Sequence, residues 1–202
     1  MLTVMLELQD LIDKVKKKLI SCPDFNTDFL IKIFDQNSLG FTTESDFIES
    51  LEVLRISYTK EEIQLIFYHY SKTYNKRLTN SELLSLFLPY LDKKDYGKSK
   101  EFCVKTLEIL RELLEKHIQH EVIMEKYRQL WKRQGHKPEV VFRVFGKNPV
   151  CQEEINQVLY RVRDVTYRDT CWIFQYFNKS PDETLTLEEF SKEYLPKCFK
   201  RL

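Results

Sequence analysis

The 202-residue chain repeats itself. Leu19 aligns with Leu130 and Phe34 with Phe145, both at an offset of 111 residues. Further on the offset settles at 107, where Glu82 aligns with Glu189 and the pair Leu88, Pro89 with Leu195, Pro196. An internal repeat fixes architecture before any single residue does, because the fold must hold the same unit twice. Here the unit is one leading helix followed by two helix–loop–helix elements.

The apolar spacing carries that reading. In the second element Ile63, Ile66, Phe67 and Tyr70 precede the loop 71–82, and Leu83, Leu86, Phe87 and Tyr90 follow it. The first has Phe29, Leu30 and Phe34 before the loop 35–46, then Phe47, Leu51 and Leu54. In the third, Val141, Phe142 and Phe145 lead in and Ile155, Val158, Leu159 and Val162 lead out. In the fourth, Ile173, Phe174 and Phe177 lead into the loop 178–189, and Phe190 and Tyr194 follow. The leading helices are expected over 3–20 and 99–133. In the second, Cys103, Leu107, Leu110, Leu114 and Ile118 form a stripe, and Met124, Tyr127, Leu130 and Trp131 continue it after a phase shift near 119–121. That helix would be about 50 Å long if straight. The polar segment 92–100, with Gly97, is the expected joint between the halves.

Four such elements in register resemble the EF-hands of calmodulin-like proteins, over about residues 25–90 and 138–198. The interval from Asp46 to Glu82 is 36 residues and that from Glu154 to Glu189 is 35, the spacing of paired hands. The resemblance implies an all-α fold of two EF-hand-pair lobes, each preceded by an extra helix and joined by a long helical segment. The domains expected are 1–95 and 96–202. It also implies that Thr42 meets Leu78, and Val150 meets Leu185, in short two-stranded contacts that couple the loops. Leu88 with Pro89, Leu195 with Pro196 and the segment EKYRQLWKRQ are similar to calmodulin-like proteins of alveolates, especially ciliates, many of them axonemal. The absence of alanine agrees with an AT-rich coding bias.

An EF-hand loop draws calcium ligands from positions 1, 3, 5, 7, 9 and 12, with glycine at 6. Loop one keeps Asp35, Asn37, Thr43, Asp46 and Gly40, but has Leu39 at position 5. It is a weak calcium or magnesium candidate. Loop two offers neutral Ser71, Thr73 and Asn75, only Glu82 as an acid, and Lys76 in the glycine position. Loop three, with Gly146 and Pro149, is three residues too short. Loop four supplies Asn178, Ser180, Asp182, Thr186 and Glu189 but has Glu183 in the glycine position, and is a weaker candidate. The favoured expectation is that all four loops are closed by their own hydrogen bonds, with no cofactor.

Composition excludes more than it assigns. With 43% hydrophobic and 31% charged residues the chain is an ordinary folded protein. At a net charge of +1 and without a dense basic run, it carries no nucleic-acid footprint. The five cysteines, Cys22, Cys103, Cys151, Cys171 and Cys198, share no CxxC spacing and read as free thiols in a cytoplasmic setting. No apolar run spans a bilayer, so no membrane partner is expected; association through the helix at 1–18 is weakened by the matching helix inside the chain. His117 and His120, with Glu121 and Glu125 nearby, have a zinc-compatible spacing but lack further ligands, and read as a solvated helix face. No phosphate loop, triad or carboxylate pair stands out, so no enzyme is expected.

Two functions follow as expectations. The leading one is a calcium-independent structural or adaptor protein that binds partner helices, tubulin or axonemal filament proteins, in the cytoplasm and the cilium axoneme. The alternative is a weak calcium or magnesium sensor acting through loops one and four. A lobe's groove would take either a partner's helix or the protein's own helix from 3–20 or 99–133.

Overall fold

A computed structural model describes residues 2–73, 75–89, 101–162, 165–178 and 183–198. Among these the chain is mostly helical, as the all-α expectation requires. The order is α1 (Leu2–Ile20), α2 (Thr27–Phe34), β1 (Phe41–Thr43), α3 (Glu44–Val53), α4 (Lys60–Tyr70), β2 (Arg77–Thr79), α5 (Asn80–Phe87) and α6 (Val104–Arg133). Then come α7 (Pro138–Phe142), β3 (Val150–Cys151), α8 (Gln152–Val162), α9 (Tyr167–Phe177), β4 (Thr184–Leu185) and α10 (Leu187–Tyr194). The chain divides into two compact units, Met1–Met124 and Glu125–Leu202. This division lies beyond the 95/96 boundary read from the sequence, because the first part of α6 packs into the first unit's core. The expected joint at 92–100 lies outside the described residues.

Helix starts follow from capping chemistry. Thr43, Thr79 and Thr186 each precede a helix and accept the amide three residues on, while Asp46, Glu82 and Glu189 accept the threonine's own amide. Thr59 with Glu62 and Thr166 with Asp169 repeat the arrangement at α4 and α9. Each box satisfies two amides that a bare helix end leaves unpaired. Asn26 caps α2 by accepting from Phe29 N.

α6 begins at Val104, a few residues later than the sequence suggests. Asp24, in the turn after α1, accepts from Cys103 N and from Thr106 Oγ1, and so anchors that start from outside the helix. α7 spans only five residues, and Phe145 sits in the turn beyond it. Its N-cap position is Lys137, whose side chain accepts no amide.

The two sheets pair β1 with β2 and β3 with β4, both antiparallel. Thr42 faces Leu78 and Val150 faces Leu185, the pairs expected from the sequence. All four residues are buried, so each sheet couples two loops and also closes the top of a core.

In the first unit one apolar cluster draws on every helix. Ile12, Val15 and Leu19 come from α1, Leu30 and Phe34 from α2, Phe47 and Leu51 from α3, and Ile63, Ile66 and Phe67 from α4. Leu83, Leu86 and Phe87 come from α5, and Ile109, Leu110, Leu113, Leu114 and Ile118 from α6. Phe34 stands 5.3 Å from both Phe47 and Phe87, ring centre to ring centre. Each fully buried ring of this kind contributes about 1.5–3 kcal/mol by leaving water. In the second unit Phe190 is the hub, packed against Phe142, Phe145, Phe177 and Tyr194.

Candidate functional site

The loops are the first place to look for chemistry. In loop one the Asp35 side chain is buried and accepts from Leu39 N on Oδ1 and from Gly40 N on Oδ2, both at 2.8 Å. Gly40, at φ +81, gives the left-handed turn that brings these amides round. Asp46 turns the other way, accepting from Thr43 N at 2.9 Å and Thr43 Oγ1 at 2.7 Å. Asn37 is exposed. The carboxylates at the first and twelfth positions therefore already serve protein donors.

Loop two closes by the same logic. Glu82 accepts from Lys72 N at 2.7 Å on one oxygen and from Thr79 N and Thr79 Oγ1, both at 2.8 Å, on the other. It ties the two ends of the loop together. Lys76 adopts φ +59 at the position a calcium loop gives to glycine. In loop three Glu154 accepts from Cys151 N at 2.9 Å, and Asn148 Oδ1 accepts from Leu187 N at 3.0 Å. In loop four Asn178 donates through Nδ2 to Thr184 O at 3.2 Å, and Glu189 accepts from Thr186 N and Oγ1. Ser180 and Asp182 lie outside the described residues. Among the described residues no three His, Cys, Asp or Glu side chains converge as a metal site.

A second polar set lies where the sequence suggested solvent. His117, His120, Glu121 and Glu125 are buried, not on a solvated face of α6. Leu110, Leu114, His117, Glu121, Met124, Glu125 and Arg128 recur at the spacing of one helix face, so polar residues simply take over the buried stripe. In the first unit the His117 ring is held at both nitrogens: Tyr70 Oη lies 2.8 Å from Nδ1 and Leu86 O lies 2.7 Å from Nε2. A carbonyl only accepts, so Nε2 carries the proton and Nδ1 accepts from the tyrosine. Burial, with Lys16 next in effect, holds the imidazole well below its ordinary pKa. Burial, then the charge of Glu121, raises the Tyr70 phenol well above its own. Both groups are neutral and fixed. Beside them, Glu121 Oε1 lies 2.9 Å from His120 Nδ1 and 3.7 Å from His69 Nδ1.

Lys16 is buried on the facing helix, α1. Its Nζ donates to Ser85 O at 2.7 Å, and burial pushes its pKa down to about 7. In the second unit Arg128 is fully buried. It donates from Nε to Glu193 O at 2.9 Å, from Nη2 to Tyr176 Oη at 2.5 Å and from Nη1 to Glu125 Oε2 at 3.3 Å. Glu125 also accepts from the amides of Lys197 and Cys198, at 3.0 and 3.1 Å. It thereby pins the segment after Leu195 and Pro196 to α6. Cys171 is half-buried, and Gln152 Nε2 donates to its Sγ at 3.0 Å.

The repeated Leu-Pro ending was visible in the sequence; the Glu125 clamp and the buried cations were not. The sequence matches no protein-family model, and a search of curated proteins returns no match. No helix among the described residues is long and apolar enough to cross a membrane.

Proposed function

We propose that the four helix–loop–helix elements are degenerate EF-hands, arranged as two hand pairs, and that the protein is a calcium-independent structural or adaptor component. What carries this reading is the state of the loop acids. Asp35, Asp46 and Glu82 each accept two or three donors from their own loop or the helix start beside it. Recruiting them for calcium means losing bonds that already close the loop.

The filled first unit supports the same reading. α1 and the first part of α6 supply core residues to the first pair of elements, so the face a switchable hand pair would expose belongs to the interior. A module of this kind acts by fixed shape. The resemblance to axonemal proteins makes an accessory part of the doublet microtubule, bound to filament proteins or tubulin, the setting we infer. No catalytic role is assigned.

Calcium titration tests the loops. Trp131 and Trp172 both belong to the second unit, so their fluorescence reports loop four, while calorimetry reports loop one as well. Neither signal is expected to change at micromolar calcium or magnesium. A saturable transition there makes the protein a sensor instead. Enrichment of tagged protein in isolated axonemes is the companion test of place, and a purely cell-body distribution contradicts it.

A further inference from the structure

The two copies of the repeat differ in what covers them. In the first unit the segment 102–118 reaches over all the other parts. Phe102 packs edge-on against Phe29 at 4.8 Å and stacks on Phe25 at 6.0 Å. Arg111 Nε donates to Leu54 O at 2.7 Å, Glu112 pairs with Lys18 at 3.2 Å, and His117 meets Leu86 O. Leu19, Phe29, Ile33 and Leu88 all belong to, or pack against, the cluster this segment completes.

The repeat carries those four positions to Leu130, Val140, Val144 and Leu195. Leu19 is fully buried, yet Leu130 is 43% exposed. Val140 is 62% exposed, Val144 64% and Leu195 46%. In the second unit the elements that carry them meet at α10. Trp131, beside Leu130, stacks on Tyr194, beside Leu195, at 4.5 Å, and Phe142 of α7 packs on Phe190 of α10. Isolated exposed apolar residues need no explanation, but a set that the other copy packs into or against its core does. The rim is basic. Arg133, Lys137, Arg143 and Lys147 are exposed, and Glu139 is the only acid between positions 132 and 148. Asp24, the acid that anchors the covering helix in the first unit, has Gly135 as its counterpart.

We propose that this face of the second unit is a docking site for an acidic amphipathic helix from another protein. The occupant lies as 102–118 lies on the first unit: an aromatic residue over Val140, an apolar stripe along Leu130, Val144 and Leu195, and acidic flanks toward the basic rim. This rests on the adaptor reading above and names the partner's chemistry. Helix-in-groove recognition draws affinity from the apolar anchors, and the charges set orientation and on-rate.

The probe is a labelled synthetic peptide of residues 102–118 carrying Cys103→Ser, Lys105→Glu and Lys116→Glu, titrated with the full-length protein. A second peptide carries lysine at Glu108, Glu112 and Glu115 instead. The acidic peptide is expected to bind and the basic one to bind at least about tenfold more weakly, with the difference shrinking as salt rises. Val140→Glu with Val144→Glu, both at exposed positions, should weaken the acidic peptide about tenfold or more while leaving circular dichroism and melting unchanged. Absence of binding overturns the proposal, as does binding indifferent to the valines. So does a concentration-dependent dimer abolished by the same substitutions, or selective binding to anionic vesicles, since each assigns the face to another occupant. Binding that requires calcium would keep the docking face and refute calcium independence. A silent calcium titration with no peptide binding would refute the docking face alone.

Discussion

Lys16 is the residue whose chemistry sits most awkwardly in the fold. An ordinary lysine side chain ionises near 10.4. Here burial lowers the value to about 7, so the unfolded chain binds more protons than the folded one between those limits. Stability therefore rises with pH across that window and is lost as pH falls toward 7. We expect the wild type to gain up to about 3 kcal/mol in urea unfolding between about pH 7 and about pH 9.5, and Lys16→Met to lose most of that gain. An identical pH profile in the two proteins would place the ammonium in water. His117 acts in the same sense at lower pH. Its depressed pKa means that the unfolded state takes up a proton first, so stability present above about 6.5 is lost on acidification.

Arg128 is a different case, a buried cation that is fully engaged. Removing it takes the neutralising guanidinium away from Glu125 and Glu193, both buried. Arg128→Ala should destabilise the second unit by about 3–5 kcal/mol, and Arg128→Met with Glu125→Gln should recover part of the loss, because the residual charge is then fewer by one. Equal stability of Arg128→Met alone and of the double variant would show that packing rather than charge dominates at this position. None of these residues was legible in the sequence as core. Lysine, arginine and glutamate are seldom fully buried, so His117 and His120, with Glu121 and Glu125 nearby, read as a solvated face. The 3–4 spacing that links Leu114, His117, Glu121 and Arg128 was the available signal, and the change in polarity masked it as a shift in phase.

At the scale of elements, much was legible. Thr42 with Leu78 and Val150 with Leu185 were expected as partners because each is the β-forming residue at one place in its loop, and a short ladder needs little more. The loops were expected to lack a full ligand set and to close by their own hydrogen bonds, but the capping boxes in which the acids take part were not named. Asp46, Glu82 and Glu189 are three residues beyond a threonine, the signature of a capping box. The start of α6 was misplaced because its cap comes from Asp24, on another element, and no local pattern announces that. Asp24 stands against desolvation, which would raise its pKa, and the donors Thr106 and Cys103 hold the carboxyl below its ordinary value. Asp24→Ala should cost about 1 kcal/mol, as loss of a helix cap does, with faster amide exchange confined to the first turn of α6. Unchanged exchange there would mean that the start of the helix is held by packing alone.

At the scale of the molecule, the duplication does not make two equal halves. The first unit uses two additional helical segments, α1 and the leading part of α6, and builds them into one core with both helix–loop–helix elements. The sequence named these segments as possible occupants but offered nothing to choose between them and a partner's helix, because pairing of distant faces is settled by the fold and not by local spacing. The second unit keeps the aromatic hub around Phe190 and the clamp around Arg128, yet leaves exposed the positions that its twin covers. One copy is thus closed on itself and the other offers a surface. This asymmetry suits a fixed part of an assembly better than a switch.

Amide hydrogen exchange across Ile109–Ile118 measures directly whether the first unit stays closed. Leu110, Leu113 and Leu114 are buried in its core, so opening of the unit must release this stretch of α6. The account predicts slow exchange there, at the same rate in millimolar calcium and in excess chelator. Slow exchange in one condition and fast exchange in the other would mean that calcium moves the helix in or out, and the closed packing module would have to be given up.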